Sequence, residues 1–382
     1  ARRDRYRLLE LPLRANRRPL PSVELIDLRA GRESGDSSQS GASSLEMLTR
    51  SVFSPELVAA LQENHQLGEQ SLLFLNRRGF ERFVQCEACG HVETCPQCSV
   101  SLTFHRARRA AVCHHCGFGK VPATRCPGCA TPLRARSFGT EQVEAIVRSL
   151  LPTARVARLD SDTGSSHSFV RKTMGAWRQG ELDVLVGTQM IAKGHDAPGV
   201  TLIGVVLADT ALSFPDFRAA ERTFQLLAQV AGRAGRGDRP GRVLVQTRQP
   251  EHPSLIAAKH HDYGAFAEAE LALRQMLLYP PFGRLARLVV EGHDLPEVEQ
   301  RATRLAERLH HVARGDRAPH DLEVLGPAPA PIERLRGGHR QQILVKATSA
   351  PRLAAALRAA APEEQGDRAI RVVVDVDPIN ML

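Results

Sequence analysis

Four Cys-x-x-Cys pairs, Cys86/Cys89, Cys95/Cys98, Cys113/Cys116 and Cys126/Cys129, hold all eight cysteines of the 382-residue sequence. Two thiolates two residues apart can grip one tetrahedral ion from a single turn, so four pairs supply the sulfurs of two closed zinc sites. Each pair has a residue suited to such a turn: Gly90, Pro96, Gly117, and Pro127 with Gly128. Fourteen residues separate Cys98 from Cys113, close to the usual ribbon spacing, which favours a nested pairing. Cys95, Cys98, Cys113 and Cys116 then form one site, and Cys86, Cys89, Cys126 and Cys129 clasp the base of the same excursion. Sequential pairing leaves five residues between Cys89 and Cys95 and is tight; interleaving needs longer crossings; both stay open. His105, His114 and His115 are possible substitutes, although the sulfurs already close both sites. A disulfide framework would require an oxidising compartment and a secretory address. Ala1 to Arg18 is arginine-rich without an apolar h-region, so a reducing cytoplasm is expected.

A second chemistry lies further on. Gln229-Val230-Ala231-Gly232-Arg233-Ala234-Gly235-Arg236 puts two guanidiniums three residues apart on a glycine-permitted bend. A permanently charged planar fork suits a phosphoryl group whose charge spreads during transfer, so Gln229, Arg233 and Arg236 are the candidate catalytic residues. Upstream, Thr188-x5-Gly194-x-Asp196 follows a buried apolar run. It pairs a hydroxyl able to meet a DNA phosphate with Gly194 and a carboxylate, Asp196, able to reach a nucleotide. The structural alternative for either motif is an ordinary Gly/Arg turn; their joint presence in this order points to a motor.

These motifs need a scaffold, and the pattern supplies one. Strand-like runs at Ser71–Leu75, Arg155–Leu159, Asp183–Val186, Thr201–Leu207 and Arg242–Gln246 alternate with helical periodicity at Pro55–Glu63, Glu141–Leu150, Phe169–Arg178 and Phe217–Val230. That alternation predicts a parallel sheet with crossover helices, with the cysteine module inserted after the first strand. Helix continues over Pro253–Leu277, and Tyr279-Pro280-Pro281 marks a boundary. A small α+β unit follows: strand Leu285–Glu291, helix Leu295–Val312, strand Gln341–Ala347, helix Pro351–Ala360 and strand Ile370–Val376. Residues 1–50 read as the tail of a preceding lobe ending at Val23–Leu28, with a Gly/Ser linker at 31–44. The expected domains are thus 51–85 with 130–278, the module 86–129, and 279–382.

The formal net charge is +9. Between Arg77 and Arg136, ten Lys and Arg face three Glu, a cluster suited to tracking phosphates; Arg77, Arg78, Arg106, Arg108 and Arg109 are the candidate DNA contacts. The alternative is a solvated basic face. Aromatics are only 4% of the chain, too few for a base-stacking platform, which leaves recognition of backbone or junction shape. No apolar run is long enough to span a bilayer, so no membrane partner is expected.

LFLNRRGF (Leu73 to Phe80), the four cysteine pairs, FGTEQVE (Phe138 to Glu144), LVGTQMIAKGHD, ADTALSFPDFRAAER (Ala208 to Arg222) and QVAGRAGRG resemble the C-terminal half of the PriA, or primosomal protein N-prime, family of replication-restart helicases. The match runs from about Tyr6 to Ile379. The resemblance implies an α/β fold: a RecA-like parallel-sheet helicase lobe with an inserted double zinc-ribbon module and a small C-terminal α+β domain that helps bind DNA. It implies a DNA-binding superfamily 2 helicase that recognises stalled or branched replication forks, unwinds DNA 3′-to-5′ with ATP and Mg2+ and initiates primosome assembly. It also implies two Zn2+ in nested pairing, finger arginines at Arg233 and Arg236, and as partners the single-stranded-DNA-binding protein and helicase-loading proteins.

Two departures bear on activity. No Gly-x4-Gly-Lys-Ser/Thr loop and no Asp-Glu dipeptide occurs, so the chain is expected to begin inside the first lobe and to have no ATPase of its own. At the family's pocket for the tail of the single-stranded-DNA-binding protein, Gln342 matches the glutamine but Gly338 replaces the arginine, leaving Arg336 or Arg340 to compensate. The competing function is a non-catalytic helicase-like scaffold that recruits partners without hydrolysing ATP. A zinc-ribbon RNA or translation protein explains the cysteines but not the motor motifs.

Overall fold

Strands built from Val, Leu and Ile that are buried on both faces belong inside a parallel sheet covered by helices. Val184–Gly187 and Val200–Val205 are buried at every position. The structure, a computed structural model, describes residues 19–29, 49, 52–75, 86, 89, 91–96, 102–105, 110–113, 116–121, 123–131, 139–160, 167–188, 191, 199–314, 321–360 and 369–381. In chain order it opens with β1 (Ser22–Asp27), α1 (Pro55–Gln66) and β2 (Gln70–Phe74), and the cysteine-rich stretch carries β3 (Thr103–His105), β4 (Ala110–Val112) and β5 (Gly119–Lys120). Next come α2 (Thr140–Leu150), β6 (Val156–Leu159), α3 (His167–Arg178), β7 (Val184–Gly187), β8 (Val200–Val205), α4 (Asp209–Leu212), α5 (Ala219–Ala231) and β9 (Arg242–Thr247). After α6 (Pro253–Lys259) and α7 (Tyr263–Met276), the last segment is β10 (Arg284–Gly292), α8 (Leu295–Arg314), β11 (Leu322–Leu335), β12 (Gly338–Ala347), α9 (Ala350–Ala359) and β13 (Ile370–Val376).

Six parallel strands form one sheet in the order β1-β9-β8-β2-β7-β6. The five expected strands are all in it. The sixth corrects the reading of Val23–Leu28 as the tail of another lobe: β1 pairs with β9 from Ser22↔Arg242 to Asp27↔Thr247. Helix α1 starts where Ser54 Oγ accepts from Leu57 N (3.2 Å) with Pro55 in its first turn, a standard capping arrangement. It lies so close to the sheet that a Cβ on Gly204 would meet Leu57 Cδ1 at 2.8 Å. Buried polar groups lock the contact. Asn64 Nδ2 donates to Ser71 Oγ (2.9 Å) and its Oδ1 accepts from Thr201 Oγ1 (2.9 Å). Gln246 accepts from Ser54 N and donates to the carbonyls of Val52 and Val206.

The helix expected over 253–277 is two helices, α6 and α7, separated where His261 adopts a φ of 54°. Helix α6 has an unusual cap: His252 Nδ1 accepts from Ser254 N at 3.3 Å. Burial pushes the His252 imidazole down to about 4. Since this folded value lies below the ordinary 6.5, the unfolded chain takes up the proton first. Stability is therefore full above about pH 6.5 and falls as the pH drops toward 4, by up to about 3 kcal/mol. Urea melts across that window should show the loss, and His252→Asn, which keeps a capping acceptor without titrating, should remove it.

The C-terminal sheet is antiparallel, in the order β11-β12-β10-β13. One face packs Ala286, Leu288, Val290, Ile343 and Val345 under α8 and α9. On the other, Leu285 and Leu344 meet Met381 and Phe217. Strand β11 is absent from the sequence expectations. Pro327, Pro329 and Pro331 argue against a strand, yet β11 lies at the sheet edge, where proline is tolerated. Strands β3, β4 and β5 form a separate antiparallel sheet.

Two compact units result, one from Ala1–Arg78, Phe138–Thr210 and Thr223–Asp262, the other from Gly79–Ser137, Ala211–Arg222 and Tyr263–Leu382. The cysteine module, expected as an insertion after the first strand of the parallel sheet, shares a unit with the C-terminal sheet. The half-buried Leu325 packs against its core of Cys95, Leu102, Ala111 and Cys113. A Cβ on Gly117 would lie 2.6 Å from Pro327 O, so only glycine permits that approach. Among the described residues no helix is long and apolar enough to cross a membrane.

Candidate metal centre and motor residues

The same turn closes three of the cysteine pairs. Cys86 N donates to His91 O (2.8 Å), Cys113 N to Phe118 O (2.7 Å) and Cys126 N to Thr131 O (2.8 Å). In two of them the chain returns through a left-handed residue, Gly117 at φ 80° and Ala130 at φ 58°. That conformation explains the glycine that follows a Cys-x-x-Cys pair. Gly128 N adds a donor 3.4 Å from Cys126 Sγ.

These turns gather sulfurs from distant points of the chain. The Sγ atoms of Cys86, Cys89, Cys126 and Cys129 all lie within 4.8 Å of one another, and so do those of Cys95, Cys113 and Cys116. Cys98 is outside the described residues. Nearest approaches are 3.4 Å for Cys86 to Cys129 and for Cys89 to Cys126, and 3.5 Å for Cys95 to Cys116. A disulfide needs about 2.05 Å. Sulfurs around a tetrahedral zinc at about 2.3 Å stand about 3.8 Å apart, and the observed spacing is close to that. The groups brought together are those of the nested pairing; the sequential and interleaved alternatives are not.

Burial is the main cause that pushes the Cys89 thiol up to about 12, whereas Thr131 beside the exposed Cys129 draws that thiol down to about 6. Four sulfurs this close cannot all ionise without a compensating ion, which a divalent metal provides. Buried Glu93 ion-pairs with Lys120, and Arg125 Nη1 donates to Ala130 O (3.1 Å). Both described cations of the basic cluster therefore brace the module itself. Arg77, Arg78, Arg106, Arg108 and Arg109 lie outside the described residues.

The motor candidates sit at the end of α5. Gln229 is exposed on its last turn, and Arg233 and Arg236 follow it, both partly exposed. Gly235 N donates to Val200 O (3.0 Å), stapling the loop to the start of β8. Gly235 has a φ of 65°, and a Cβ there would meet Gly241 N at 2.5 Å; this glycine is required on both counts. Arg236 Nε donates to Gly232 O (3.1 Å), which fixes the guanidinium plane. Arg233 borders a small cavity with Ile191, Trp177 and Met174.

Thr188 lies just past β7, its N–H donating to Leu159 O (3.3 Å) and its carbonyl accepting from Ile191 N (3.0 Å). This is the carboxyl end of the parallel strands, where such sheets bind ligands. Gly194 and Asp196 fall outside the described residues. Ile191, three residues past Thr188, borders the same small cavity as Arg233.

Gln342 is fully buried in β12, between Val289 and Ala328 in register. Arg336 is exposed at the β11–β12 turn, and Arg340 has a side chain 11% exposed near Glu291. Sequence reasoning also assigned no role to Asp216, Phe217 and Arg222, each of which has a partner more than 50 residues away, in Met381, Tyr279 and Ile379; only their presence in ADTALSFPDFRAAER marked them.

Residues 275–379 match the family described as the primosomal protein N C-terminal domain. Residues 95–120 match the PriA DNA helicase Cys-rich region. The chain is 40% identical to the replication restart protein PriA of Bacillus subtilis, over 100% of this chain and 46% of that protein. It is 39% identical to that of Synechocystis sp., covering 98% and 43%, and 42% identical to that of Treponema pallidum, covering 87% and 50%. The chain spans about half the length of the curated relatives it matches. Among solved structures, the Hef helicase domain of Pyrococcus furiosus aligns with 50% of this chain and 24% of its own at 17% identity, with a TM-score of 0.25; the sheet order above, not this overlap, defines the lobe.

Proposed function

Since the chain belongs to the PriA family of replication restart proteins, we propose that it supplies the second motor lobe, the zinc module and the C-terminal domain of a helicase acting at stalled or branched forks. In this reading Arg233 and Arg236, with Gln229, reach the phosphates of ATP and its Mg2+, while Gly194 and Asp196 contact the nucleotide. Thr188 grips a strand phosphate, and Arg77, Arg78, Arg106, Arg108 and Arg109 follow the backbone. The eight cysteines hold two zinc ions, which contribute folding free energy to the module. Unwinding runs 3′-to-5′ and leads to primosome assembly, with the single-stranded-DNA-binding protein and helicase-loading proteins as partners in the cytoplasm, at the nucleoid. What supports the reading is that the Thr188 turn and the Arg233 loop belong to one parallel sheet, with Ile191 and Arg233 bordering one cavity, in a chain that also holds clustered cysteine sulfurs.

The test is binding of the full-length protein to forked and linear duplex DNA, with and without ATP, across a salt series. Preference for the fork is expected, with affinity falling steeply with salt at about 0.9 counterions per phosphate contact. A fork preference without DNA-stimulated ATP hydrolysis would favour the non-catalytic scaffold. Equal affinity for both DNAs would overturn the fork reading.

A further inference from the structure

The two edges of the C-terminal antiparallel sheet are built differently. At one of them β11 carries Pro327, Pro329 and Pro331, shifts register twice, and packs Leu325 against the cysteine module. Prolines, bulges and covering segments are the means by which proteins keep an edge strand from pairing with another chain. Strand β13, at the opposite edge, has none of them among the described residues. Ile370-Arg371-Val372-Val373-Val374-Asp375-Val376 contains no proline and pairs with β10 residue for residue, from Ala286↔Val376 to Gly292↔Ile370, without a shift. Its one neighbour among the described residues is β10. Val374 is 48% exposed and Val376 53%.

The backbone register decides which groups this edge offers. Asp377 N donates to Leu285 O (2.7 Å), one step beyond the Ala286↔Val376 pair. Antiparallel alternation then turns the N–H and C=O groups of Arg371, Val373 and Asp375 toward β10, and those of Ile370, Val372, Val374 and Val376 away from the sheet. Side chains alternate too. Ile370 and Val372 pack against the core under α8 and α9, so Val374 and Val376 continue that face while Arg371, Val373 and Asp375 occupy the other. The strand is also its own complement: Val373 is its centre, and Arg371 and Asp375 flank it at equal distance with opposite charge.

We propose that β13 is a self-association edge, to which β13 of a second copy adds antiparallel with the two-fold axis at Val373. Only this register pairs the whole strand: a shift of one residue sets outward groups against inward ones, and a shift of two leaves an end unpaired and takes Arg371 off Asp375. Val372 then exchanges backbone hydrogen bonds with Val374 of the second copy, and Ile370 with Val376 of the second copy, so the half-exposed valines are covered. Arg371 stands opposite Asp375 of the second copy, at a position without ladder hydrogen bonds, where side chains approach most closely. Symmetry repeats the contact. Within each copy Arg371 Nη1 lies 3.7 Å from Glu291 Oε1, and Arg287 Nη2 3.7 Å from Asp375 Oδ2. The pairing therefore extends these contacts into a row of alternating sign: Glu291, Arg371, then Asp375 and Arg287 of the second copy. Charges on an edge ordinarily deter pairing, whereas this arrangement makes them select one partner. The proposal uses neither the motor loop nor the cysteines, so it stands or falls apart from the proposed function.

The test is sedimentation velocity of the full-length protein over the micromolar range, where a monomer–dimer equilibrium is expected. Arg371→Asp and Asp375→Arg each set like charges opposite one another at both symmetric contacts, and each should raise the dimer Kd by about tenfold or more. Mixing the two variants presents opposite charges at every contact and should restore the dimer to within about threefold of the parent. Val374→Pro removes a donor that points away from β10, as an edge strand tolerates, and should weaken the dimer while the thermal midpoint stays near that of the parent. A parent that is monomeric throughout overturns the proposal, whether another part of the protein or a different partner covers β13. A dimer insensitive to all three variants, or not restored by mixing, overturns it as well. Should either charge variant fold poorly beside Glu291 or Arg287, Val374→Pro decides alone: an unchanged dimer means that β13 is not the contact.

Discussion

Replacing Cys126 and Cys129 together by serine is expected to remove one of two bound zinc ions and to unfold the base of the cysteine module. The four thiols of that site come from turns about 40 residues apart in sequence, and the turn made by Cys126, Ala130 and Thr131 is otherwise held by two backbone bonds and by polar contacts such as Arg125 to Ala130 O. Small zinc domains draw an apparent ~10 to 16 kcal/mol from the ion, more than any packing available around the exposed Cys129. The consequences should differ between the two sites. Cys95, Cys113 and Cys116 share a core with Leu325, and Gly117 lies against Pro327. Cys113→Ser with Cys116→Ser should therefore uncover the half-buried Leu325 and weaken the β11 edge of the C-terminal sheet by about 1 kcal/mol, a fraction of the worth of a fully buried leucine. Zinc stoichiometry by atomic emission and hydrogen exchange across Leu322–Ala330 would measure both effects. Retention of two zinc ions by the Cys126/Cys129 variant would refute the assignment. Exchange at β11 that is blind to the Cys113/Cys116 change would show that the module and the sheet are energetically separate.

What could be read from the sequence was what is local. The cysteine pairs declare themselves by spacing, and the Gly-Arg-x-Gly-Arg loop by residue types that bend a chain and carry permanent charge. The four inner strands, β9, β8, β2 and β7, show as short apolar runs because both their faces are buried. Long-range pairing is where sequence reasoning stopped. Among the described residues strand β1 pairs with β9 alone, about 220 residues away, and no signal in SVELID distinguishes an edge of this sheet from the end of another lobe. Strand β11 was hidden by three prolines that an edge position tolerates. Phe217 and Asp216 read as an ordinary helix start, since neither Tyr279 nor Met381 is visible from their neighbourhood. Association of the cysteine module with the C-terminal sheet depends on Gly117, whose local role in the turn already accounts for it; its second role, admitting Pro327, appears only in three dimensions.

Arg236→Lys in the full-length protein is expected to lower kcat for ATP hydrolysis by about 1,000-fold or more, the usual cost of losing a finger arginine. KM for ATP should change little, because the interaction is made chiefly in the transition state. Lysine is the informative replacement because it keeps the charge and most of the stem while losing the planar fork. It also loses the Nε donor that binds Gly232 O at 3.1 Å and orients the group. Arg233 calls for a different design. Its stem borders the cavity with Trp177, Met174 and Ile191, so alanine removes packing as well as charge, whereas Arg233→Lys separates the two. A loss of turnover in both lysine variants, with thermal midpoints within a few degrees of the parent, would assign the effect to the guanidinium geometry. Wild-type turnover in Arg236→Lys would mean that positive charge alone suffices there, and the phosphate-bridging role would pass to Arg233 or to neither.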